Sequence, residues 1–121
     1  MECSLPPAVF VMLSAPLFDW VLENLIKNAL DATDGAGTIS IVALLQNKQV
    51  IITITDTGKG MDSDTASQIF EPGFTTKKRG WGLGLPLSKR IMETYHHGKL
   101  FIKRTELGKG TTFCLQLPVV D

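Results

Sequence analysis

The sequence predicts an α/β protein, a two-layer sandwich with helices on one face of a mixed β-sheet. Three observations carry that expectation. Segment 16–32 places Val21, Leu22, Leu25, Ile26, Ala29 and Leu30 at helical spacing. Segments 38–45, 50–55, 100–104 and 111–117 are rich in β-branched and apolar residues, as strands are. A second helical pattern at 83–95 falls between the two strand pairs.

Taken in order, 8–13 (Ala-Val-Phe-Val-Met-Leu) reads as a buried strand. Pro16 then opens the first helix, where its missing N–H costs nothing. The cluster Thr33-Asp34-Gly35-Ala36-Gly37 ends it. A hairpin follows, turning at 46–49, with Ile52 and Ile54 alternating with Thr53 and Thr55 in its second strand. Segment 62–70 reads as a short helix capped by Asp62 or Ser63. Segment 71–81 has no periodicity and reads as a loop. In 83–95, Leu83, Leu87, Ile91 and Tyr95 recur every four residues, Pro86 sits in the first turn, and His96-His97-Gly98 closes the helix. The last two strands turn around Gly108-Lys109-Gly110.

The 121 residues suit a single domain, 1–121, with one core. Its abrupt start suggests excision from a longer chain. Lysine plus arginine number 12, as do aspartate plus glutamate, so no global charge points to nucleic acid or an anionic membrane. The longest apolar stretch is too short to span a bilayer, and no leader pattern stands at the N-terminus. Cys3 and Cys114 have no metal spacing and read as free thiols of a reducing cytoplasm.

Candidate chemistry collects at three places. Asn24, Asn28 and Asp31 are spaced by four and three, so they share one stripe of the first helix. Asp56 ends an apolar strand just before Gly58 and Gly60, where the backbone turns tightly and its carboxylate is placed to accept from an amine donor. Gly80, Gly82 and Gly84 open the second long helix, preceded by Thr75, Thr76, Lys77, Lys78 and Arg79. Glycines and cations before a helix start favour an anionic ligand. The spacing matches neither the dinucleotide fingerprint nor a Walker loop. Together the three places form a nucleotide constellation, with Asn28 as an oxygen ligand for Mg²⁺.

Four blocks, in order, resemble those of a sensor histidine kinase's ATP-binding catalytic domain, within the wider gyrase, Hsp90 and MutL ATPase family. Segment 24–32 (Asn-Leu-Ile-Lys-Asn-Ala-Leu-Asp-Ala) resembles the N box, and 56–61 the first glycine box. Segment 69–77 resembles the F box of the ATP lid, and 80–85 the second glycine box. The resemblance implies a Bergerat-type fold with a flexible lid, ATP and Mg²⁺ as ligands, and a cytoplasmic location, whether or not the parent protein is membrane-anchored. It implies Asn28 as the Mg²⁺ ligand, Asn24 lining the phosphate site, and Asp56 on the adenine amino group in a pocket shaped by Gly58 and Gly60. Thr111 would contact adenine, directly or through water. Gly80, Gly82, Leu83 and Gly84 would approach the phosphates beneath the lid residues Thr75, Thr76, Lys77, Lys78 and Arg79. Partners implied are a helical dimerisation and phosphoacceptor domain, absent from this sequence, and a response-regulator receiver domain.

Two departures refine the reading. Gyrase-like ATPases carry a glutamate base where this chain has Asn24, and Glu23 points about 100° away on the helix, which favours transfer over hydrolysis. Many sensor kinases carry a Lys or Arg three residues after the metal asparagine; this chain instead has Asp31, which resembles the nitrogen-regulation-like branch. His96 and His97 read as structural helix-end residues, favoured there as cations by the helix dipole, so autophosphorylation of this segment is not expected. Rival readings are a Ser/Thr kinase of the anti-sigma-factor type and a nucleotide-gated binding module.

Overall fold

The computed structural model describes residues 2–4, 14–34, 36–71 and 84–119. The expected strand at 8–13 and almost all of the expected loop at 71–81 lie outside them. Among the described residues, five strands form one sheet in the spatial order β1-β2-β3-β5-β4. They are β1 (Glu2–Ser4), β2 (Ile39–Gln46), β3 (Gln49–Asp56), β4 (Lys99–Glu106) and β5 (Gly110–Pro118). All neighbours are antiparallel except β1, which runs parallel to β2 and makes the sheet mixed. Glu2-Cys3-Ser4 is too short to show any alternation, which is why the sequence gives no sign of this strand.

One face of the sheet builds the core. Val50 and Ile54 of β3 oppose Leu117 and Phe113 of β5, and all four are buried. The same register puts Asp56 opposite Thr111, and Thr111 opposite Thr105 of β4. Polar residues therefore end each core-facing row at one edge of the sandwich, where the candidate site lies.

Helix α1 (Ala15–Thr33) covers this face with Phe18, Val21, Leu25, Ala29 and Thr33, a row at three- and four-residue steps. Val21 and Leu25 are fully buried, each worth about 1.5–3 kcal/mol. The buried row is narrower than the apolar pattern: Leu22 and Ile26 are half-buried, and Leu30 is 52% exposed. Asp34 ends the helix in the left-handed conformation, its N–H bonded to the carbonyls of Leu30 and Asp31. Helix α2 (Ser63–Gln68) is capped by Asp62, whose Oδ1 accepts the Thr65 N–H at 2.7 Å.

The second long helix departs from expectation. It is α-helical over Gly84–Arg90 (α3) and continues as a π-helical turn over Ile91–Tyr95. The expected four-residue row faces the core only in part: Ile91 is buried, but Leu87 and Tyr95 are exposed, and Ser88 and Met92 are buried beside Ile91. Wider winding after Arg90 turns Tyr95, four residues past Ile91, away from the core. The turn is fixed by the Gly98 N–H on the Met92 carbonyl and by His96. His96 is buried, with Nδ1 3.1 Å from the Ile91 carbonyl, and its Nε2 accepts the Ser14 N–H at 3.0 Å. An imidazole that accepts at one nitrogen and donates at the other is neutral. His96 is thus structural, as expected, but as a neutral pin between the helix end and the start of α1, not as a cation on the dipole.

Candidate functional site

The first wall of the site grows from the end of β3. Asp56 is buried, and its Oδ1 accepts the Gly58 N–H at 2.9 Å. The Thr111 N–H also bonds this carboxylate. Burial pushes the Asp56 carboxyl above its ordinary value, and the two N–H groups oppose that shift without cancelling it. The strand end is therefore a costly place for a carboxylate and an oriented one. Thr111 is buried, its hydroxyl 2.8 Å from that of Thr105. Thr105 Oγ1 also accepts the Met61 N–H at 3.0 Å, tying the end of the glycine turn to β4.

The glycines of this turn make their close approaches to the protein's own backbone. A Cβ on Gly58 would strike the Ala32 carbonyl, and the Lys59 N–H donates to that same carbonyl at 3.0 Å. Gly60 has φ +66°, and a Cβ there would strike the Glu106 carbonyl. The Gly108 N–H donates to the Lys59 carbonyl at 2.7 Å. The turn is thus clamped between the end of α1 and the β4–β5 hairpin. Because Ala32 lies one turn beyond Asn28, the same clamp fixes the Asn28 helix beside Asp56.

The second wall is where α1 meets α3. Asn24 Nδ2 donates to Ser88 Oγ at 3.2 Å, and Ser88 Oγ donates to the Gly84 carbonyl at 2.7 Å. A Cβ on Gly84 would lie 2.6 Å from Asn24 Nδ2, so Gly84 lets the two helices close on the asparagine. Trp20, Glu23, Asn24, Lys27 and Gly84 line a cleft of about 160 Å³ here. Asn24 and Asn28 are half-buried and Asp31 is exposed, so the stripe runs from the helix contact out to solvent.

Of the residues singled out from sequence, Asp56, Gly58, Gly60 and Thr111 come together on the first wall, and Asn24 and Gly84 on the second. Asn28 and Asp31 lie on the helix that joins them. Thr75, Thr76, Lys77, Lys78, Arg79, Gly80, Gly82 and Leu83 lie outside the described residues. Ser88 and Thr105 were missed. A serine inside the apolar run Leu85-Pro86-Leu87-Ser88 is the one sequence signal that points to the first of them.

Among the described residues no three His, Cys, Asp or Glu side chains cluster to hold a metal ion. A cation beside Asn28 would take most of its ligands from phosphate and water, the habit of Mg²⁺. Among them, too, no helix is long and apolar enough to cross a membrane.

Residues 15–121 match the family model described as histidine kinase-, DNA gyrase B- and HSP90-like ATPase. The chain is 46% identical over 101 residues to the sensor histidine kinase ZraS of Salmonella typhimurium, covering 83% of this chain and 21% of that protein. It thus spans about a fifth of that relative's length. The fold superposes on the catalytic domain of the histidine kinase ThkA with a TM-score of 0.83, at 30% identity, over 97% of this chain and 77% of that one. ThkA in complex with the response regulator TrrA gives a TM-score of 0.78 at 27% identity, over 98% of this chain and 34% of that one.

Proposed function

The chain belongs to the histidine kinase-, DNA gyrase B- and HSP90-like ATPase family and is a catalytic domain of the sensor histidine kinase type, and from this premise we propose that it transfers the ATP γ-phosphoryl to a histidine on a separate helical dimerisation domain. The observation that carries the proposal is the buried, doubly oriented Asp56 clamped to the helix that bears Asn28. A buried carboxylate that accepts from two N–H groups retains lone pairs for one more donor, and the adenine amino group supplies it.

In this reading Asp56 and Thr111 seat the base. Asn28 supplies a side-chain oxygen to Mg²⁺, which neutralises phosphate charge when bound, and Asn24 lines the phosphates. Lys77 acts with them in transfer as the cation over the phosphates, in company with Lys78 and Arg79. In transfer the bond between the γ-phosphorus and the bridging oxygen breaks, a P–N bond forms to the acceptor imidazole, and ADP leaves. The domain's contribution is positioning and charge stabilisation. No carboxylate occupies position 24, where a hydrolase of this family would hold its base. The phosphoryl group then passes to an aspartate of a response-regulator receiver domain, a partner supported by the ThkA–TrrA likeness. A cytoplasmic location accords with the unpaired, buried Cys114.

The test is transfer of labelled phosphate from Mg-ATP to an added helical phosphoacceptor domain. Wild type transfers; Asn28→Asp, which trades an amide for a negative charge beside the phosphates, lowers the rate at least about a hundredfold. Undiminished transfer by Asn28→Asp defeats the metal-ligand assignment. Without the acceptor domain the chain stays unlabelled: both nitrogens of His96 are engaged and buried, and acid-labile label on His96 or on the exposed His97 would overturn this expectation.

A further inference from the structure

Three side chains form a row that joins α3 to the sheet, and neither the base wall nor the metal site uses it. Lys89 Nζ sits 5.0 Å from the centroid of the Phe70 ring. Phe70 in turn meets Phe113 edge-to-face, with centroids 6.4 Å apart and planes at 85°. Phe113 is a buried core residue of β5, two residues from Thr111 on the same face. On the other side of α3, Ser88 holds Asn24. Consecutive residues of one helix therefore grip the two halves of the site: Ser88 reaches α1, and Lys89 reaches the strand that carries Thr111 through two aromatic rings.

We propose that Lys89 is a positioning residue for ATP, acting through the Phe70 ring to hold the Asn24–Gly84 wall at a fixed distance from the Asp56–Thr111 wall. The inference rests on the nucleotide reading above. A ligand that touches both walls gains from a fixed separation, because binding then costs no ordering of α3. One that touches only the base wall gains nothing. A cation over a half-buried ring is a directional contact that a neutral side chain does not reproduce, and the lysine stem still packs when the charge is removed. The charge and the packing are thus separable by substitution.

The experiment compares Mg-ATP and adenosine binding by calorimetry for wild type, Lys89→Met, Lys89→Arg, Phe70→Leu and the Lys89→Met/Phe70→Leu double variant, each checked for folding by thermal melting without ligand. Lys89→Met and Phe70→Leu should each weaken Mg-ATP about three- to tenfold and leave adenosine unchanged. Lys89→Arg should restore the affinity, since guanidinium also binds a ring face. The double variant should be no weaker than the worse single one. Equal loss for ATP and adenosine overturns the inference. So does a weakened Lys89→Met beside an unchanged Phe70→Leu, which would make Lys89 a direct phosphate ligand. So does an unchanged Lys89→Met. Failure of wild type to bind Mg-ATP strikes the nucleotide reading itself and is read from a separate arm.

Discussion

The two walls of the site are made of different material. The base wall is backbone against backbone: Gly58 on the Ala32 carbonyl, Gly60 on the Glu106 carbonyl, and N–H bonds from Lys59 and Gly108 locking both ends of the turn. The helix wall is side chain against side chain: Asn24 on Ser88, and Lys89 on Phe70. Backbone contacts cannot rotate out of the way, while amide, hydroxyl and ammonium groups can. The difference divides labour. The part proposed to read the base is specified by the fold and resists change. The part proposed to face the phosphates is specified by individual residues, so substitution tunes it without unfolding the domain.

The largest effect should separate the walls by one methyl group on each. Gly60→Ala puts a Cβ at φ +66° and onto a carbonyl that is itself held in a strand. Denaturant unfolding should show a loss of about 2 kcal/mol or more. Gly84→Ala meets only the end of the Asn24 side chain at 2.6 Å, with no positive φ. The amide can turn, and alanine favours the helix by up to about 1 kcal/mol. Stability should stay within about 1 kcal/mol of wild type, while Mg-ATP affinity falls because Asn24 is displaced. Equal destabilisation by the two alanines would erase the distinction.

The next effect is opposite in sign for binding and stability. Asp56→Asn removes the acceptor proposed for adenine, and nucleotide binding should be lost at the concentrations that saturate wild type. Stability should move the other way. The folded state raises the Asp56 carboxyl above its ordinary value of 3.8, so folding favours the protonated form. The favourable contribution of the neutral acid is complete below the ordinary value and is lost as pH rises through the folded one. At neutral pH the domain therefore carries a buried charge that weakens it. Asp56→Asn without nucleotide should melt higher than wild type at pH 7–8, and the gap should narrow as pH falls toward 4. A variant that melts lower at every pH would mean that the N–H groups of Gly58 and Thr111 outweigh burial.

The same contrast governs what could be read from the sequence. The base wall was legible because its pattern is local: a carboxylate at a strand end, with glycines two and four residues later, states the turn. Helix α1 was legible from periodicity, although Leu30 and the narrow buried row were not, since only the packed partner decides which apolar residue meets it. What escaped is long-range. Ser14 to His96 spans 82 positions, Asn24 to Ser88 spans 64, and Met61 to Thr105 spans 44. No local rule pairs residues at such separations. The π-helical turn escaped for a related reason: the backbone bonds of Gly98 and the ring of His96 override the four-residue pattern that predicted a plain helix. The lid cations and the strand at 8–13 were read from sequence and lie outside the described residues.

The smallest effect tests whether the helix wall yields one contact at a time. Ser88 is fully buried and holds two bonds, one to its own helix at Gly84 and one to Asn24. Ser88→Ala keeps the shape of the helix and removes both bonds, the local one to Gly84 and the one across to α1. Each such bond is worth about 1 kcal/mol, so the loss is about 1–2 kcal/mol, a fall of roughly 3–10 °C in Tm for a domain of this size. Ser88 is bonded to neither side of the clamp at Ala32 and Glu106 and reaches it only indirectly, along α1 or through the neighbouring Lys89–Phe70–Phe113 row, so the change should fade within the helix. Hydrogen exchange should speed up at the amides of α3 and stay unaltered at Gly58, Lys59 and Gly108. If those clamp amides loosen in step with α3, the two walls are one cooperative unit and the division of labour between them fails.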